Sequence, residues 1–143
     1  MLKLTFSMIK PDAVKRNLVQ EIQNHLTQEE LEIVLQKRIH LTTEQAKNFY
    51  SEHEGKSFFE DMIKNICAGE VIVQILRGED AIIKNRHIMG ATNPKNADQG
   101  TLRQKYGIDI DFNSIHGSDS DDSAEKEMHA FFSEEEIEQF RKT

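Results

Sequence analysis

The sequence predicts an α/β fold in which a sheet and helices pack in layers within one domain. Three observations lead to this fold class. Runs rich in β-formers recur along the chain, segments with helical periodicity separate them, and 37% of the residues are hydrophobic against 30% charged. That balance is typical of globular proteins, and 143 residues are enough to bury a core without disulfides. We therefore expect residues 1–143 to form a single domain.

The first two strands are predicted on either side of one helix. The run from Leu2 to Ile9 alternates and is rich in β-formers, which predicts a strand. Pro11 ends it, and Asp12 is predicted to cap a helix whose apolar positions reach Leu26. The run from Leu31 to Leu41 predicts the second strand.

Two helices and a buried strand are predicted next. Thr43 is expected to cap a helix through Tyr50, and Ser57 to begin another through Ile66. The run Val71–Leu76 is apolar nearly throughout, so we expect a central strand that is covered on both faces.

The following segment changes character. Asp80 is predicted to begin a helix through His87, after which the periodicity stops. Residues 90–113 show little pattern apart from a short helix at 101–106, and a stretch of that kind in a compact domain is often functional. Residues 115–116 predict a short final strand.

Two helices are predicted at the C-terminal end. Asp122 and Glu125 fit a capping box for a helix that reaches Phe132, and Ser133 before three glutamates predicts the start of a last helix. The element order is βα, βαα, βα, loop, β, αα. This order is compatible with a ferredoxin-like βαββαβ arrangement, although the pattern alone does not select it.

Charge and cysteine content restrict the partners and the compartment. The net charge is −7, and residues 109–143 hold 11 acidic and 3 basic residues against 14 and 15 in residues 1–108. An acidic chain is a poor candidate for binding a nucleic-acid backbone, although a few converging cations can still bind a small phosphorylated ligand. Cys67 has no intramolecular disulfide partner, and no run matches a membrane span or a signal peptide, so we expect a cytoplasmic protein with no membrane partner.

The segment 113–120, with the sequence NSIHGSDS, holds the strongest candidate for chemistry. A neutral imidazole is a good nucleophile near neutral pH, so His116 can act without an auxiliary base. Gly117 would give access to the ring, Ser118 a hydroxyl, and Glu127 a carboxylate that orients it. The segment is ambiguous by itself, because most isolated histidines are surface or packed residues.

Two further features have a functional and an ordinary interpretation. Lys10 lies at a strand end facing a helix start, where it can meet a phosphate or simply be solvated. Phe58 and Met62 lie one turn apart, so they either join the core or grip a planar base.

Seven segments together carry a family resemblance: residues 8–14 (MIKPDAV), 49–50 (FY), 57–59 (SFF), Arg86, 90–94 (GATNP), 100–103 (GTLR) and 113–120 (NSIHGSDS). In this order and spacing they resemble the nucleoside diphosphate kinases over nearly the whole chain, from about residue 4 to 140. The resemblance implies a ferredoxin-like fold with a four-stranded antiparallel sheet covered by helices.

The resemblance also implies a phosphotransferase with a ping-pong mechanism. His116 would take the γ-phosphoryl group of a nucleoside triphosphate, typically ATP, at its pros nitrogen and pass it to a nucleoside diphosphate such as GDP. The activity maintains pools of ribo- and deoxynucleoside triphosphates with broad base and sugar specificity. The family uses Mg²⁺ held mainly by the nucleotide phosphates, and we expect no protein side chain as a metal ligand. No G-x-x-x-x-G-K-[ST] phosphate loop is present.

The resemblance assigns roles to residues at the reacting end of the nucleotide. Glu127 would hydrogen-bond the imidazole of His116, and Ser118 would support that glutamate. Lys10 would hold phosphates, and Tyr50 would line the site.

It likewise assigns residues along the rest of the nucleotide. Arg86 and Arg103 would bind phosphates together with Thr92, and Asn113 would line the site near the sugar hydroxyl. The base would stack in a slot formed by three apolar residues, namely Phe58, Met62 and Ile110.

Three positions depart from the family pattern: Ser57 and Glu70 replace usual prolines, and Glu30 replaces a common glycine. They bear on loop rigidity and spare the catalytic set, but a catalytically idle relative that only binds nucleotides is a competing hypothesis. A nucleic-acid-binding regulator is another, and the net charge of −7 weighs against it. The family forms homotetramers or homohexamers, with the loop at 94–112 near subunit contacts.

Overall fold

The computed structural model describes residues 2–141. Its four strands form one antiparallel sheet in the order β2-β3-β1-β4. The strands are β1 Leu2–Ile9, β2 Glu32–His40, β3 Glu70–Glu79 and β4 Ile115–Gly117. The helices are α1 Pro11–Lys15, α2 Val19–Gln28, α3 Thr43–Phe49, α4 Phe59–Ile66, α5 Ala81–Met89, α6 Leu102–Tyr106, α7 Asp121–Phe131 and α8 Glu134–Arg141. The expected ferredoxin-like arrangement is confirmed.

Strand β1 determines where the short strand β4 lies. It pairs with β3 from Leu2 opposite Glu79 to Ile9 opposite Ile72. On its other side it pairs with only the three residues of β4, and Met8 lies opposite His116. The candidate nucleophile is therefore attached to a long central strand while it lies at an edge of the sheet.

Helices cover both faces of the sheet. Phe6 and Val73 belong to a cluster with α3, α4, α7 and α8, whereas Ile9 and Leu76 belong to a second cluster with α1, α2 and α5. The predicted central strand Val71–Leu76 is buried throughout, which confirms that both of its faces are covered. Each fully buried side chain of this size contributes about 1.5–3 kcal/mol to folding.

The predicted first helix is wrong in one respect, because two helices replace it. Asn17 separates α1 from α2 with a φ of 60°, a conformation that asparagine tolerates better than most residues. Asp12 lies inside α1 rather than at its cap, because Pro11 takes the first helical position and Lys10 precedes it.

Two further helix starts differ from the predictions. Thr42 rather than Thr43 caps α3, and its Oγ accepts from the Gln45 N–H at 3.1 Å while the Gln45 side chain accepts from the Thr42 N–H at 2.9 Å. Helix α4 begins at Phe59, two residues after Ser57.

The C-terminal helices show one correction and one agreement. Ser120 caps α7, with its Oγ accepting from the Ser123 N–H at 3.1 Å, so the predicted capping box at Asp122 is wrong. Helix α8 begins directly after Ser133, as expected, and Ser133 and Glu136 exchange hydrogen bonds of 2.9 Å and 3.1 Å there. Within residues 2–141, no helix is long and apolar enough to cross a membrane.

Candidate active site

A cavity of about 700 Å³ lies where β1 ends and β4 begins. Segments that are distant in sequence contribute to it, because the loops after β1, α3, α5 and α6 meet there. It is lined by ten of the side chains predicted from the sequence: Lys10, Tyr50, Met62, Arg86, Thr92, Arg103, Ile110, Asn113, His116 and Glu127. Of the other two, Phe58 lines an adjoining slot and Ser118 lies behind Glu127.

The imidazole of His116 is oriented by a carboxylate. Its Nε2 lies 3.1 Å from Oε1 of Glu127, and the Ser118 hydroxyl donates to the same oxygen at 2.6 Å. A carboxylate only accepts hydrogen bonds, so Nε2 carries a proton, and in the neutral imidazole the lone pair is therefore on Nδ1. The two side chains are only 25% and 13% exposed, which shields the pair from solvent. The structure thus presents a histidine with one defined nucleophilic nitrogen.

The histidine is also held by packing. The Phe49 ring meets the imidazole edge to face at 5.4 Å, and the Tyr50 ring lies at 6.3 Å. A Cβ on Gly117 would lie 2.4 Å from Nδ2 of Asn85, so only glycine lets α5 approach β4 this closely. Gly117 also lines the cavity beside His116, so the structure adds this packing role to the access that the sequence suggested.

Lys10 is tied to the loop before the histidine. Its Nζ donates to Oδ1 of Asn113 at 3.0 Å and to the Asp111 carbonyl oxygen at 3.3 Å. Asn113 in turn donates to the carbonyl oxygens of Thr92 and Ile110, at 3.1 Å and 3.2 Å. Burial lowers the pKa of Lys10, and nearby carboxylates, chiefly that of Asp12, oppose this shift.

Two arginines complete the cationic part of the cavity. Arg103, on α6, is 9% exposed and donates to the carbonyl oxygens of Gly90 and Ile115 at 2.9 Å and 2.8 Å. Burial lowers its pKa to about 10, so the guanidinium is charged at neutral pH. Its Nε is buried without a partner among the described residues. Arg86, on α5, is exposed at the cavity wall.

An apolar slot of about 420 Å³ adjoins this cavity. Its walls include Phe58, Met62 and Ile110, and Lys10 and Tyr50 line both spaces. Phe58 is 44% exposed and Ile110 is 55% exposed, whereas large apolar side chains of a core are usually buried. Phe58 is therefore a slot residue, whereas Met62 lines the slot and also packs against the core.

Several cavity residues were missed by the sequence reasoning. Glu52, His53, Asp98 and Asp119 line the same cavity. His53 follows Tyr50 by three residues, so its helical spacing was a usable signal, but the loop around Asp98 has no periodicity to interpret. In the described part of the chain, no group of three or more His, Cys, Asp or Glu side chains is arranged to hold a metal ion.

The fold and this cavity define a class of protein. A histidine with a free Nδ1 stands beside three cations, which suits transfer of a phosphoryl group, and the neighbouring apolar slot suits a planar base. Together these features are those of a nucleotide phosphotransferase.

Comparison with known proteins identifies the family. The profile of the family described as "Nucleoside diphosphate kinase" matches residues 3–137. The nucleoside diphosphate kinase of Hydrogenovibrio crunogenus is 53% identical over 137 residues, which span 96% of this chain and 97% of that protein.

Two solved structures are also similar. The nucleoside diphosphate kinase of Aquifex aeolicus superposes with a TM-score of 0.92 at 33% identity and covers 95% of this chain and 99% of its own. The enzyme of Halobacterium salinarum, solved in complex with CDP, gives 0.91 at 38% identity and covers 95% and 91%. This chain belongs to the nucleoside diphosphate kinase family. It is a transferase that moves phosphoryl groups between nucleotides, and such kinases act with a divalent metal ion.

Proposed function

We propose that this chain transfers the γ-phosphoryl group of a nucleoside triphosphate to a nucleoside diphosphate through a phosphohistidine on His116. The observation that supports this most directly is the 3.1 Å bond between Nε2 of His116 and Glu127. Nδ1 attacks the γ-phosphorus, and the bond from that phosphorus to the bridging oxygen breaks. The nucleoside diphosphate leaves with the bonding electrons. A terminal β-phosphate oxygen of the second nucleotide then attacks the same phosphorus, and Nδ1 recovers its electron pair.

The cations of the cavity supply what this reaction needs from a protein. Phosphoryl transfer depends on positioning and on stabilising charge that spreads over the transferring oxygens. Arg86 and Arg103 offer forked donors to phosphate oxygens, and Lys10 offers a compact charge. We also assign Thr92 to phosphate binding, because it lines the same cavity as these three cations.

The slot is assigned to the base. Phe58 and Ile110 expose apolar surface to it, and Met62 adds a flexible thioether. A slot that stacks on the base accepts purines and pyrimidines alike, which predicts broad specificity for ribo- and deoxynucleotides such as ATP and GDP. We assign Asn113 to the sugar and Tyr50 to the wall between the base and the phosphates. The CDP bound by the Halobacterium relative supports a nucleoside diphosphate as the ligand.

The metal ion is proposed to be Mg²⁺, which arrives on the nucleotide phosphates as part of the substrate. This fits a cavity whose phosphate-binding side chains are cations, and Mg²⁺ commonly binds through substrate phosphates. We further propose one domain over residues 1–143 in a cytoplasmic homotetramer or homohexamer, with the loop at 94–112 near the subunit contacts.

Intact mass measurement tests the proposed route. The intact mass of the purified protein is measured after it is mixed with ATP and Mg²⁺, and again after GDP is added. One added phosphoryl group that disappears as GTP forms is the expected result, and His116→Ala should show neither event. Ordinary nucleotide binding without an adduct would instead indicate the idle relative. Full transfer by His116→Ala would refute the assignment of the nucleophile.

A further inference from the structure

The loop before the catalytic histidine contains a strained residue. Ser114 has a φ of 77°, in the left-handed region that residues with a side chain rarely adopt. It directly follows Asn113 and precedes His116 by two positions. Strained backbone persists only where surrounding contacts hold it. The contacts of Ser114 therefore determine the shape of this loop.

Ser114 contacts one residue inside α1 and the residues that directly precede and follow this helix. The Ser114 hydroxyl donates to Oδ2 of Asp12 at 3.2 Å and accepts from Nη2 of Arg16 at 3.1 Å. The Ser114 carbonyl oxygen accepts from the Lys10 N–H at 2.9 Å. Ser114 is fully buried and the Asp12 side chain is 8% exposed, so their bond is largely shielded from solvent, whereas the Arg16 side chain is 37% exposed.

Arg16 extends the same contacts to a third segment. Besides Ser114 it donates from Nε to the Asp12 carbonyl oxygen at 3.2 Å, and from Nη2 to the Tyr106 carbonyl oxygen at 2.5 Å. Tyr106 ends α6, the helix that carries Arg103. One guanidinium thus joins α1, the end of α6 and the loop before the histidine.

Asp12, Arg16 and Ser114 line neither the cavity nor the slot. They act on a nucleotide through the residues beside them. These are Lys10 and Asn113, joined by a 3.0 Å bond inside the cavity, and Arg103 on the helix whose last carbonyl oxygen accepts from Arg16. We propose that the side chains of Asp12, Arg16 and Ser114 form a clamp that keeps the loop in the strained conformation required for phosphoryl transfer. They are positioning residues, and the proposal rests on the proposed route through His116.

Single-turnover phosphorylation by saturating ATP and Mg²⁺ tests the clamp. Ser114→Ala keeps a side chain at the unfavourable φ but removes the hydroxyl, and we expect the rate constant to fall about tenfold, since hydrogen bonds to charged groups are the stronger ones. Asp12→Ala, which removes the acceptor of the Ser114 hydroxyl, should slow the reaction similarly. The double variant should be no slower than the slower single variant, because both changes break one contact. Ser114→Gly removes the hydroxyl without the strain, so it provides a folded variant that is still slowed several-fold.

Glu30→Ala is the matched control. Glu30 has a φ of 69° in the turn before β2 and lines neither space, so this variant carries the same kind of strain away from the site. A purely structural role would lower the melting temperature and leave the single-turnover rate constant of the folded enzyme unchanged, as we expect for Glu30→Ala. Rate constants within twofold of wild type for folded Ser114→Ala, Ser114→Gly and Asp12→Ala would overturn the clamp alone. A wild-type protein that forms no phosphohistidine would overturn the proposed route and the clamp with it.

Discussion

The proposed route through His116 predicts a contribution of the Glu127 charge to catalysis, which the variant Glu127→Gln isolates. The amide keeps an oxygen that accepts from His116 and from the Ser118 hydroxyl, so the geometry survives while the charge is lost. A hydrogen bond to a charged group contributes about 1.5–3 kcal/mol and a neutral one about 0.5–1.5 kcal/mol. The difference of about 1–2 kcal/mol applies where positive charge develops on the imidazole, which corresponds to a slowing of about 5- to 30-fold.

Because both side chains are largely buried, the full free-energy difference between the charged and the neutral hydrogen bond applies. The side chains of His116 and Glu127 are 25% and 13% exposed, so solvent screens the pair far less than a surface ion pair. Rapid-quench measurement of phosphoenzyme formation from ATP gives the rate constant directly. The control is Glu125→Gln on the same helix, where the carboxylate pairs with Arg141 outside the cavity and the rate should not change. A rate constant for Glu127→Gln within twofold of wild type would show that the carboxylate charge does not act on the imidazole.

Three further expectations concern the slot, the packing of β4 and the C-terminal helices. Phe58→Ala should raise KM about fivefold for ADP, GDP and CDP alike, since stacking contributes about 1–3 kcal/mol per base and this ring is half-exposed; an effect on one base only would contradict the slot. Gly117→Ala places a Cβ 2.4 Å from the Asn85 amide, so urea unfolding should show a loss of about 1–3 kcal/mol, and an unchanged midpoint would refute the packing argument. Hydrogen bonding, chiefly to the Glu125 carbonyl oxygen, raises the pKa of His129, so its stabilising effect is complete below the unfolded pKa and disappears as pH rises through the folded one. His129→Gln should therefore lower the melting temperature at pH 5.5 but not at pH 9, and equal losses at both would exclude a charged histidine.

The sequence predicted the sheet well where burial produces a regular pattern of apolar residues along a strand. Val71–Leu76 is apolar apart from Gln74 because helices cover both faces of β3. Leu2–Ile9 alternates because Leu4, Phe6 and Met8 join one apolar cluster, whereas Thr5 and Ser7 on the other face are polar. Such patterns depend on burial alone, so they can be recognised without knowing the partners. The site residues were predicted for another reason, since their segments resemble a known family in order and spacing.

Features that depend on a single backbone angle were not predictable. The left-handed Asn17 splits the first helix, yet an asparagine inside a periodic run has no distinctive signal. Ser114 is also left-handed, although serine has no marked preference for that region and its partner Asp12 lies 102 positions away. The predicted helix caps differ from the observed ones by a few residues for a similar reason. Thr42 and Thr43 are equally good capping residues in the sequence, and only the path of the backbone into α3 decides which of them caps it.

Two cations of the cavity, Lys10 and Arg103, already have hydrogen-bond partners in this structure, and this affects how a nucleotide is exchanged. Lys10 donates to Asn113 and Asp111, and Arg103 donates to two backbone carbonyl oxygens. An arriving phosphate must share or replace these acceptors, so its affinity reflects an exchange of hydrogen bonds rather than their full strength. When the phosphate leaves, these internal acceptors take the donors back, so both side chains regain hydrogen-bond partners. In the proposed route one nucleotide leaves before the next one binds, and such reversible competition would favour that exchange.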